Sequence, residues 1–436
     1  MKSALAVAIA LTVVALWPAV ASAHAVLLRA TPSSAQSLAQ APSQVQLLFS
    51  EPIDPIFSRV QVQEANGEHV RVDLDDSHVS ADDDRLLEVS IQPGLPNGIY
   101  TVVWRSLSAV DVHPDEGQYP LFVGVPVSSQ AQATTLSNTA SPETTLGRWW
   151  FYVAASLFGG VLATWKLVLG PVLEATSAPS RGSVQRRAFR LIVAGGVLLL
   201  LGTLFSAVAQ AASAANVPLS QGFGQPLADL LLRGRFAAVW WPRLGLEIAS
   251  LALIAFGGID GLASECALAT LPAVLLTSAL TSHGASLPGL TAAGITIDWL
   301  HIVGATVWVG GLIALASVFG VLRTEVTTPA PGPQVMARFA RLALVGSLAV
   351  LVSGVTQGAL EVGSWSAAVG TAYGQLLLLK SGLLTIMLGL AGVNEWRRRA
   401  PGRAGLQVGV GAELALGVVV FGVAAVLSGT PPTPNV

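Results

Sequence analysis

The chain has 436 residues, of which 52% are hydrophobic and 11% are charged. A composition this apolar lies outside the range of soluble globular proteins and predicts a membrane protein. The 25 acidic and 23 basic residues nearly balance, but residues 24–128 contain 14 acidic against five basic side chains. This acidic segment suits a cationic ligand and argues against nucleic acid as a partner. The single cysteine, Cys266, excludes a disulfide framework and a thiolate metal site.

Residues 1–23 have the pattern of a secretory signal peptide. Lys2 precedes an apolar run, and Ala21-Ser22-Ala23 is typical of a cleavage site. Cleavage after Ala23 makes His24 the mature N-terminus, whose α-amine and imidazole can chelate one metal ion together. The alternative is an uncleaved anchor helix, but the apolar run is short for a membrane span.

Residues 24–126, called the head below, have the pattern of a small all-β sandwich. Short β-patterned runs alternate with clusters of Pro, Gly, Asn and Asp. These runs lie at residues 45–49, 60–63, 86–91, 100–104 and 119–123. Asn66-Gly67 lies between two β-patterned segments and predicts a tight hairpin turn, because both residues accept a positive φ.

Asp111 and His113, near the end of the head, are candidate metal ligands. If the backbone is extended there, the two side chains project from the same face and can hold one ion. Together with His24 they provide an amine, two imidazoles and a carboxylate, a nitrogen-rich set that suits tetragonal Cu(II). An Asp-x-His pair is more often a turn carboxylate beside a surface histidine. His69 and His78 lie in acid-rich polar loops and are expected to be solvated.

The head resembles the CopC family of periplasmic copper proteins. The motifs that carry the resemblance are His24-Ala25-x-Leu27, Leu47-x-Phe49-Ser50-Glu51-Pro52, and Asp111-x-His113 followed by Gly117-x-Tyr119-x-x-Phe122. The resemblance implies a Greek-key sandwich in which His24, Asp111 and His113 bind Cu(II). Some family members add a methionine-rich Cu(I) site, but this head contains no methionine. A single Cu(II) site is therefore expected.

A tether and a membrane part follow the head. Residues 127–146 are rich in Ser, Thr, Ala and Gln without apolar periodicity, which predicts a flexible linker. Residues 147–430 contain apolar runs of spanning length and predict an all-α polytopic bundle of about eight helices. The runs lie at about 149–171, 188–210, 244–259, 266–282, 295–321, 339–360, 375–393 and 408–427.

The arginines of the membrane part predict its orientation. Residues 181–190, 323–341 and 397–403 contain 11 arginines in loops on one side of the predicted bundle, against three in residues 233–243 on the other side. The positive-inside rule places the larger group in the cytoplasm. We therefore expect a multi-pass protein of the bacterial inner membrane with its head on the periplasmic or extracellular side.

Ionisable side chains near the outer ends of the spans are candidates for a translocation site, because such groups are costly in hydrocarbon unless they are paired or used. The candidates are His283, Asp298, His301, Glu361 and Lys380. Asp298 and His301 are three residues apart and share a helix face. The alternative is that some of them are interface anchors, or that Lys380 only neutralises Glu361 or Asp298.

The membrane part resembles the CopD family of copper-transport proteins. The motifs that carry this resemblance are Thr281-Ser282-His283-Gly284-Ala285, Asp298-Trp299-Leu300-His301-x-x-Gly304-Ala305-x-x-Trp308-x-Gly310-Gly311, Arg338-Phe339-x-Arg341-Leu342-Ala343 and Tyr373-Gly374-x-x-Leu377-x-x-Lys380. The resemblance implies passage of copper across the membrane. Gly159-Gly160 and Gly310-Gly311 are predicted to allow close helix packing.

These features predict a copper-binding membrane protein, not an enzyme, that captures Cu(II) outside the membrane and mediates copper import or homeostasis. The alternative is a copper-sequestering resistance protein with a non-transporting anchor. Two further classes are an oxidative polysaccharide monooxygenase with a paired-histidine copper site and a haem protein with His283 and His301 as axial ligands. Expected partners are the copper ion, the lipid bilayer, and periplasmic copper carriers or a reductase. No nucleotide-binding motif suggests ATP-driven export.

Overall fold

The computed structural model describes residues 25–34, 36–65, 70–127, 134–136, 141–287, 289–324, 330–362, 364–399 and 406–431. Four predictions concern residues outside these ranges. They are the signal peptide, the candidate ligand His24, the hairpin turn at Asn66-Gly67 and the solvated side chain of His69. The expectations about them stay predictions.

The head is a sandwich of two β-sheets, as predicted. The strands are β1 Leu27–Thr31, β2 Ser37–Leu38, β3 Gln44–Phe49, β4 Arg59–Glu64, β5 His78–Val79, β6 Leu86–Ser90, β7 Gly98–Leu107, β8 Pro114–Val123 and β9 Thr134–Leu136. One sheet has the order β1-β3-β6-β5 and the other has the order β2-β8-β7-β4, with β9 added on β8. Several neighbours in each sheet, such as β1 and β3 or β4 and β7, are not consecutive in the chain, so connections cross between the sheets.

Alternating side chains build the core of the head. Along β3, Val45, Leu47 and Phe49 are fully buried, whereas Gln46 and Leu48 between them are half-buried. Successive side chains of a strand point to opposite faces, so this alternation seats one face of β3 against the other sheet. All five predicted runs are strands. The hairpin of β7 and β8 is longer than predicted because the two strands pair over ten residues.

Two parts of the predicted linker, residues 127–146, have secondary structure. Thr134–Leu136 pair with β8, and a helix begins at Pro142. The Ser141 hydroxyl caps this helix by accepting a hydrogen bond from the Thr144 N–H at 3.2 Å. Proline suits the first helical turn because its missing N–H is not needed there. The Ser/Thr-rich composition obscured this start signal.

The membrane part contains ten α-helices among the described residues. They are α1 Pro142–Ala175, α2 Arg181–Ala215, α3 Gln225–Leu232, α4 Gly234–Gly257, α5 Leu262–Ala279, α6 Thr291–Thr324, α7 Pro331–Val362, α8 Trp365–Gly370, α9 Ala372–Arg399 and α10 Leu406–Leu427. All except α3 and α8 are long and apolar enough to cross a membrane, which confirms the predicted number of eight. α1 includes two π-helical turns, and a 3₁₀ segment, His283–Ser286, lies between α5 and α6.

Glycines bring α1 and α6 into backbone contact. A Cβ at Gly160 would lie 2.2 Å from the Thr306 carbonyl oxygen, and a Cβ at Gly310 would lie 2.3 Å from the Ser156 carbonyl oxygen. These distances leave no room for a side chain, which confirms the packing role predicted for the two glycine pairs. Since α6 also packs against α5, α7 and α10, it lies at the centre of the bundle.

The head packs directly on the end of the bundle where α1 begins and α10 ends. An apolar cluster spans the contact and contains Phe57, Leu107, Val112, Ala211, Ala214 and Leu230. The Gln210 side-chain amide donates to the Val112 carbonyl at 2.6 Å, and the Arg105 guanidinium donates to the Ser213 carbonyl. These contacts hold the loop between β7 and β8, residues 108–113, against the membrane part.

Candidate metal centre at the junction of head and bundle

The loop of residues 108–113 carries the predicted ligands Asp111 and His113. It is a turn, and not the extended backbone that the same-face argument for Asp111 and His113 assumed, because Val112 lies in the left-handed region with a φ of 61°. The Ser108 hydroxyl accepts hydrogen bonds from the N–H groups of Val110 and Asp111, at 3.0 and 3.1 Å. Asp111 Oδ1 accepts from the His113 N–H at 3.2 Å. Such local bonds favour a turn over a strand, and this turn brings the side chains of Asp111 and His113 together.

A third side chain, His283 from the membrane part, completes a cluster with Asp111 and His113. Asp111 Oδ2 lies 3.1 Å from His113 Nδ1 and 3.4 Å from His283 Nδ1. One ligand atom from each of the three residues lies within 4.8 Å of the other two. Two imidazole nitrogens and one carboxylate oxygen that converge in this way form a set of ligands that suits Cu(II).

The cluster is buried, and burial tunes its ionisation. Asp111, His113 and His283 are only 3%, 7% and 5% exposed. Burial lowers the pKa of His113, which favours the neutral imidazole that a metal requires. Glu51, buried beside the cluster, has its pKa raised to about 8 by burial and then by the negative charge of Asp111. The raised pKa of Glu51 disfavours a second negative charge beside Asp111.

The bundle contacts the far side of the His113 ring. His113 Nε2 lies 2.8 Å from an Arg148 guanidinium nitrogen and 3.1 Å from the Ser428 carbonyl oxygen. The guanidinium can only donate and the carbonyl can only accept, so the two partners favour opposite tautomers of His113. When Nε2–H donates to Ser428, the lone pair of Nδ1 points at the shared centre. A second partner of this kind is the usual device that orients a metal-binding histidine.

A cavity of about 490 Å³ leads from this cluster into the bundle. His283, Asp298, His301, Glu361 and Lys380 all line it, so the structure brings every predicted translocation residue to one space. His283 lies at the mouth, in the 3₁₀ segment, where it contacts the head. Sequence reasoning placed His283 with the translocation residues and missed its contact with Asp111.

Two carboxylates further along the cavity share one amide donor. Asp298 Oδ1 and Glu361 Oε1 both accept hydrogen bonds from the Gln357 amide, at 3.3 and 3.1 Å. Tyr373 donates a short hydrogen bond to the other Glu361 oxygen. Gln357 was missed from the sequence, because a neutral polar side chain in a span carries no distinctive signal. Tyr373 was named only as part of the CopD-like motif and not as a site residue.

His301 and Lys380 form a second pair in the cavity. His301 Nδ1 lies 3.0 Å from the Ser353 hydroxyl, and Lys380 Nζ lies 3.4 Å from His301 Nε2. Asp298 and His301 line the same cavity, as their shared face predicts, but they bond to different partners. Among the described residues, Lys380 forms no ion pair within 4 Å of Asp298 or Glu361, so direct neutralisation by contact is not seen.

The fold and the cluster define a multi-pass membrane protein whose β-sandwich head shares a two-histidine, one-carboxylate centre with its bundle. Residues 27–124 match the CopC domain and residues 333–427 match the family Copper resistance protein D, CopD. The chain therefore carries a CopC domain and a CopD domain in one polypeptide. The CopD match includes α7, α9 and α10, whereas His283, Asp298 and His301 lie outside the matched range.

Similar proteins also have names connected with copper. The chain is 29% identical to Copper transport protein CutJ of Bacillus subtilis (strain 168) over 433 residues, which cover 96% of this chain and 76% of that protein. It is similar to the solved structure of CopC from Methylosinus trichosporium OB3b, with 31% identity, a TM-score of 0.21, and 23% of this chain and 93% of that chain covered. It is also similar to PcoC, a methionine-rich copper resistance protein from Escherichia coli, with 29% identity, a TM-score of 0.20, and 23% and 98% covered.

Proposed function

We propose that the protein captures Cu(II) at the junction of its two domains and imports copper through the bundle. Asp111, His113 and His283 bind the ion, and His24 adds its amine and imidazole when the signal peptide has been removed. The observation that supports this proposal most is that one cluster takes ligands from both domains and lines the same cavity as Asp298, His301 and Glu361. Sequestration requires a site in the head alone. A site completed by His283 instead connects capture to the membrane.

The cavity offers a path for a cation. Asp298 and Glu361 provide carboxylate oxygens and His301 provides a nitrogen, and all three lie beyond His283 in the same space. Conduction requires sites that bind an ion well enough to admit it and weakly enough to release it. In this proposal, the Lys380 ammonium balances the two carboxylates over a distance when no copper ion is present.

The proposal also includes the orientation of the protein in the membrane and the form in which copper reaches it. The arginine distribution supports an orientation with the head on the periplasmic or extracellular face of the inner membrane, where it meets the supply of copper. The cavity offers few sulfur ligands for Cu(I), so the ion either crosses on nitrogen and oxygen ligands or meets a separate reductase first. Periplasmic copper carriers are the expected partners of the head.

The test is copper uptake by cells that express the intact protein, His113→Ala or His283→Ala at limiting external copper. We expect the intact protein to raise intracellular copper, measured by mass spectrometry, and both variants to abolish most of the rise. His78→Ala is the matched control, because the His78 side chain is 58% exposed on the head and distant from the cavity lining.

Unchanged or lower intracellular copper with the intact protein would contradict import. Sequestration by the head would then be the better account, provided that copper bound outside the cytoplasm rises and depends on His113. Loss of uptake in His78→Ala would show that the assay responds to damage of the head in general.

A further inference from the structure

Three helices, α6, α9 and α10, form the inner end of the cavity. The innermost lining residues are Val309 on α6, Leu388 on α9 and Gly417 on α10, with Trp308 and Met387 beside them. A Cβ at Gly417 would lie 3.2 Å from the Met387 methyl group, so the helices pack tightly here. Trp308 is only 2% exposed. These residues form the floor of the cavity.

A buried carboxylate lies immediately beyond this floor. Glu413 is one turn past Gly417 on α10 and is 4% exposed. Glu413 Oε1 accepts a hydrogen bond from the Trp308 indole N–H at 2.9 Å. Glu413 Oε2 accepts from the Asn394 amide at 2.9 Å, and Asn394 is two turns past Met387 on α9. The indole therefore joins the floor of the cavity to the carboxylate below it.

The two hydrogen-bond partners of Glu413 carry no charge. Both are neutral donors, and within the described part of the chain no lysine, arginine or histidine forms an ion pair with Glu413. An ionisable group inside a span is costly unless it is paired or functional, and a group of this kind marks an ion or proton pathway by default. Glu413 lies in line with the cavity, on the side away from the head.

We propose that Glu413 and Asn394 form an inner binding station for the copper cation and that Trp308 separates this station from the cavity. The inference rests on the proposed transport function. When the Trp308 ring moves, its N–H leaves Glu413 Oε1, and the freed carboxylate oxygen and the Asn394 carbonyl oxygen bind the arriving cation. The Met387 thioether at the floor adds one soft contact on the way.

The experiment uses the purified full-length protein in liposomes that enclose a copper-chelating dye. Glu413→Gln keeps the size of the side chain and an acceptor for Trp308 but removes the charge. We expect copper uptake to fall at least tenfold in Glu413→Gln and to be partly retained in Glu413→Asp. Glu265→Gln is the matched control, since the Glu265 side chain is 61% exposed on α5 and pairs with Lys166. Unchanged Cu(II) EPR spectra will show that the outer cluster remains folded.

A second pair of variants tests whether Trp308 is the barrier between the cavity and the inner station. Trp308→Ala opens the floor, so Trp308→Ala combined with His283→Ala is expected to take up copper several-fold faster than His283→Ala alone. Equal rates would overturn the assignment of Trp308 as the barrier. Uptake by Glu413→Gln within twofold of the intact rate would overturn the inner station while leaving import intact. No uptake by the intact protein would overturn import itself, and the station with it.

Discussion

Two clusters in this protein use the same residue types in different arrangements. In the outer cluster, the imidazoles of His113 and His283 both lie within 3.4 Å of one carboxylate oxygen of Asp111. In the second cluster, the cavity residues Asp298, His301, Glu361 and Lys380, most of the close partners are neutral residues. Converging ligands favour tight capture, whereas ligands held apart favour brief contacts along a path. Under the proposed function, convergence of the ligands, and not residue type, distinguishes the site of capture from the route.

The largest expected effect separates the two clusters by copper affinity. His113→Ala should weaken Cu(II) binding to the intact protein by at least about 100-fold, since loss of an outer partner of a ligand alone costs about 10–100-fold. His301→Ala should change the affinity less than threefold, because His301 lies outside the cluster of Asp111, His113 and His283. Competition with a chelator of known affinity measures both. Similar losses in the two variants would remove the distinction between the clusters.

The next effect concerns the packing of α1 against α6, which should affect stability without affecting copper binding at the outer cluster. Gly310→Ala should destabilise the protein by about 1–3 kcal/mol, because its Cβ overlaps the backbone of α1. Copper affinity at the outer cluster should stay within threefold. Gly320→Ala on the same helix is the control: its Cβ meets no atom within 4 Å, so stability should hold or rise by up to about 1 kcal/mol. Thermal unfolding measures both, and equal unfolding temperatures would show that α1 and α6 can separate freely.

A smaller effect concerns the contact that holds the head on the bundle. Arg105→Gln removes a charged donor to the Ser213 carbonyl and the ion pair with Glu116 at 3.0 Å. Its loss should weaken docking by about 1–3 kcal/mol, the contribution expected of a hydrogen bond from a charged group. Hydrogen exchange in residues 108–113 should then accelerate. Arg85→Gln, which removes only the exposed ion pair with Asp83, should leave this exchange unchanged.

The smallest effect depends on pH and is confined to the head. Burial, and then the charge of Glu116, raise the pKa of Asp115 to about 6, above its ordinary value of 3.8. The folded head therefore prefers the protonated acid, and stability that is full below about pH 4 is lost as the pH rises through 6. Asp115→Asn should stabilise the head by about 1 kcal/mol at pH 7.5, after allowance for partial exposure, and have little effect at pH 4.5.

Hydrogen exchange of the β8 amides, compared between Asp115→Asn and the intact protein at each pH, measures this effect. Equal protection factors at pH 7.5 would show that solvent reaches the Asp115 carboxylate in the folded head. The copper affinity of the outer cluster provides the control that the loop of residues 108–113 is unchanged.

The sequence predicts the architecture well because its signals are local. Alternating burial along β3 and apolar runs such as the one in α6 follow directly from the period of each structure. Where the prediction fails, a local signal was weak or was misinterpreted. The Ser141-Pro142 helix start was hidden in a Ser/Thr-rich segment. The Ser108 and Asp111 side chains form a turn where the same-face argument for Asp111 and His113 assumed an extended backbone.

The candidate site was predictable only in part, because it depends on contacts between distant segments. Asp111 and His113 follow from a short motif, and His283 follows from its depth in the membrane. Nothing local shows that His283 meets Asp111, 172 positions earlier in the chain. The same holds for Glu413, whose relation to Trp308 spans 105 positions and depends on how α6 packs against α10.

The central claim is that His283 of the bundle completes the copper centre of the head. Pulsed EPR on the Cu(II)-loaded full-length protein, compared between the intact protein, His283→Ala and the control His301→Ala, tests it most directly. The account predicts that His283→Ala loses the hyperfine coupling of one imidazole nitrogen and that His301→Ala leaves the spectrum unchanged. Identical spectra for the intact protein and His283→Ala would show that the head binds copper alone and would contradict the shared centre.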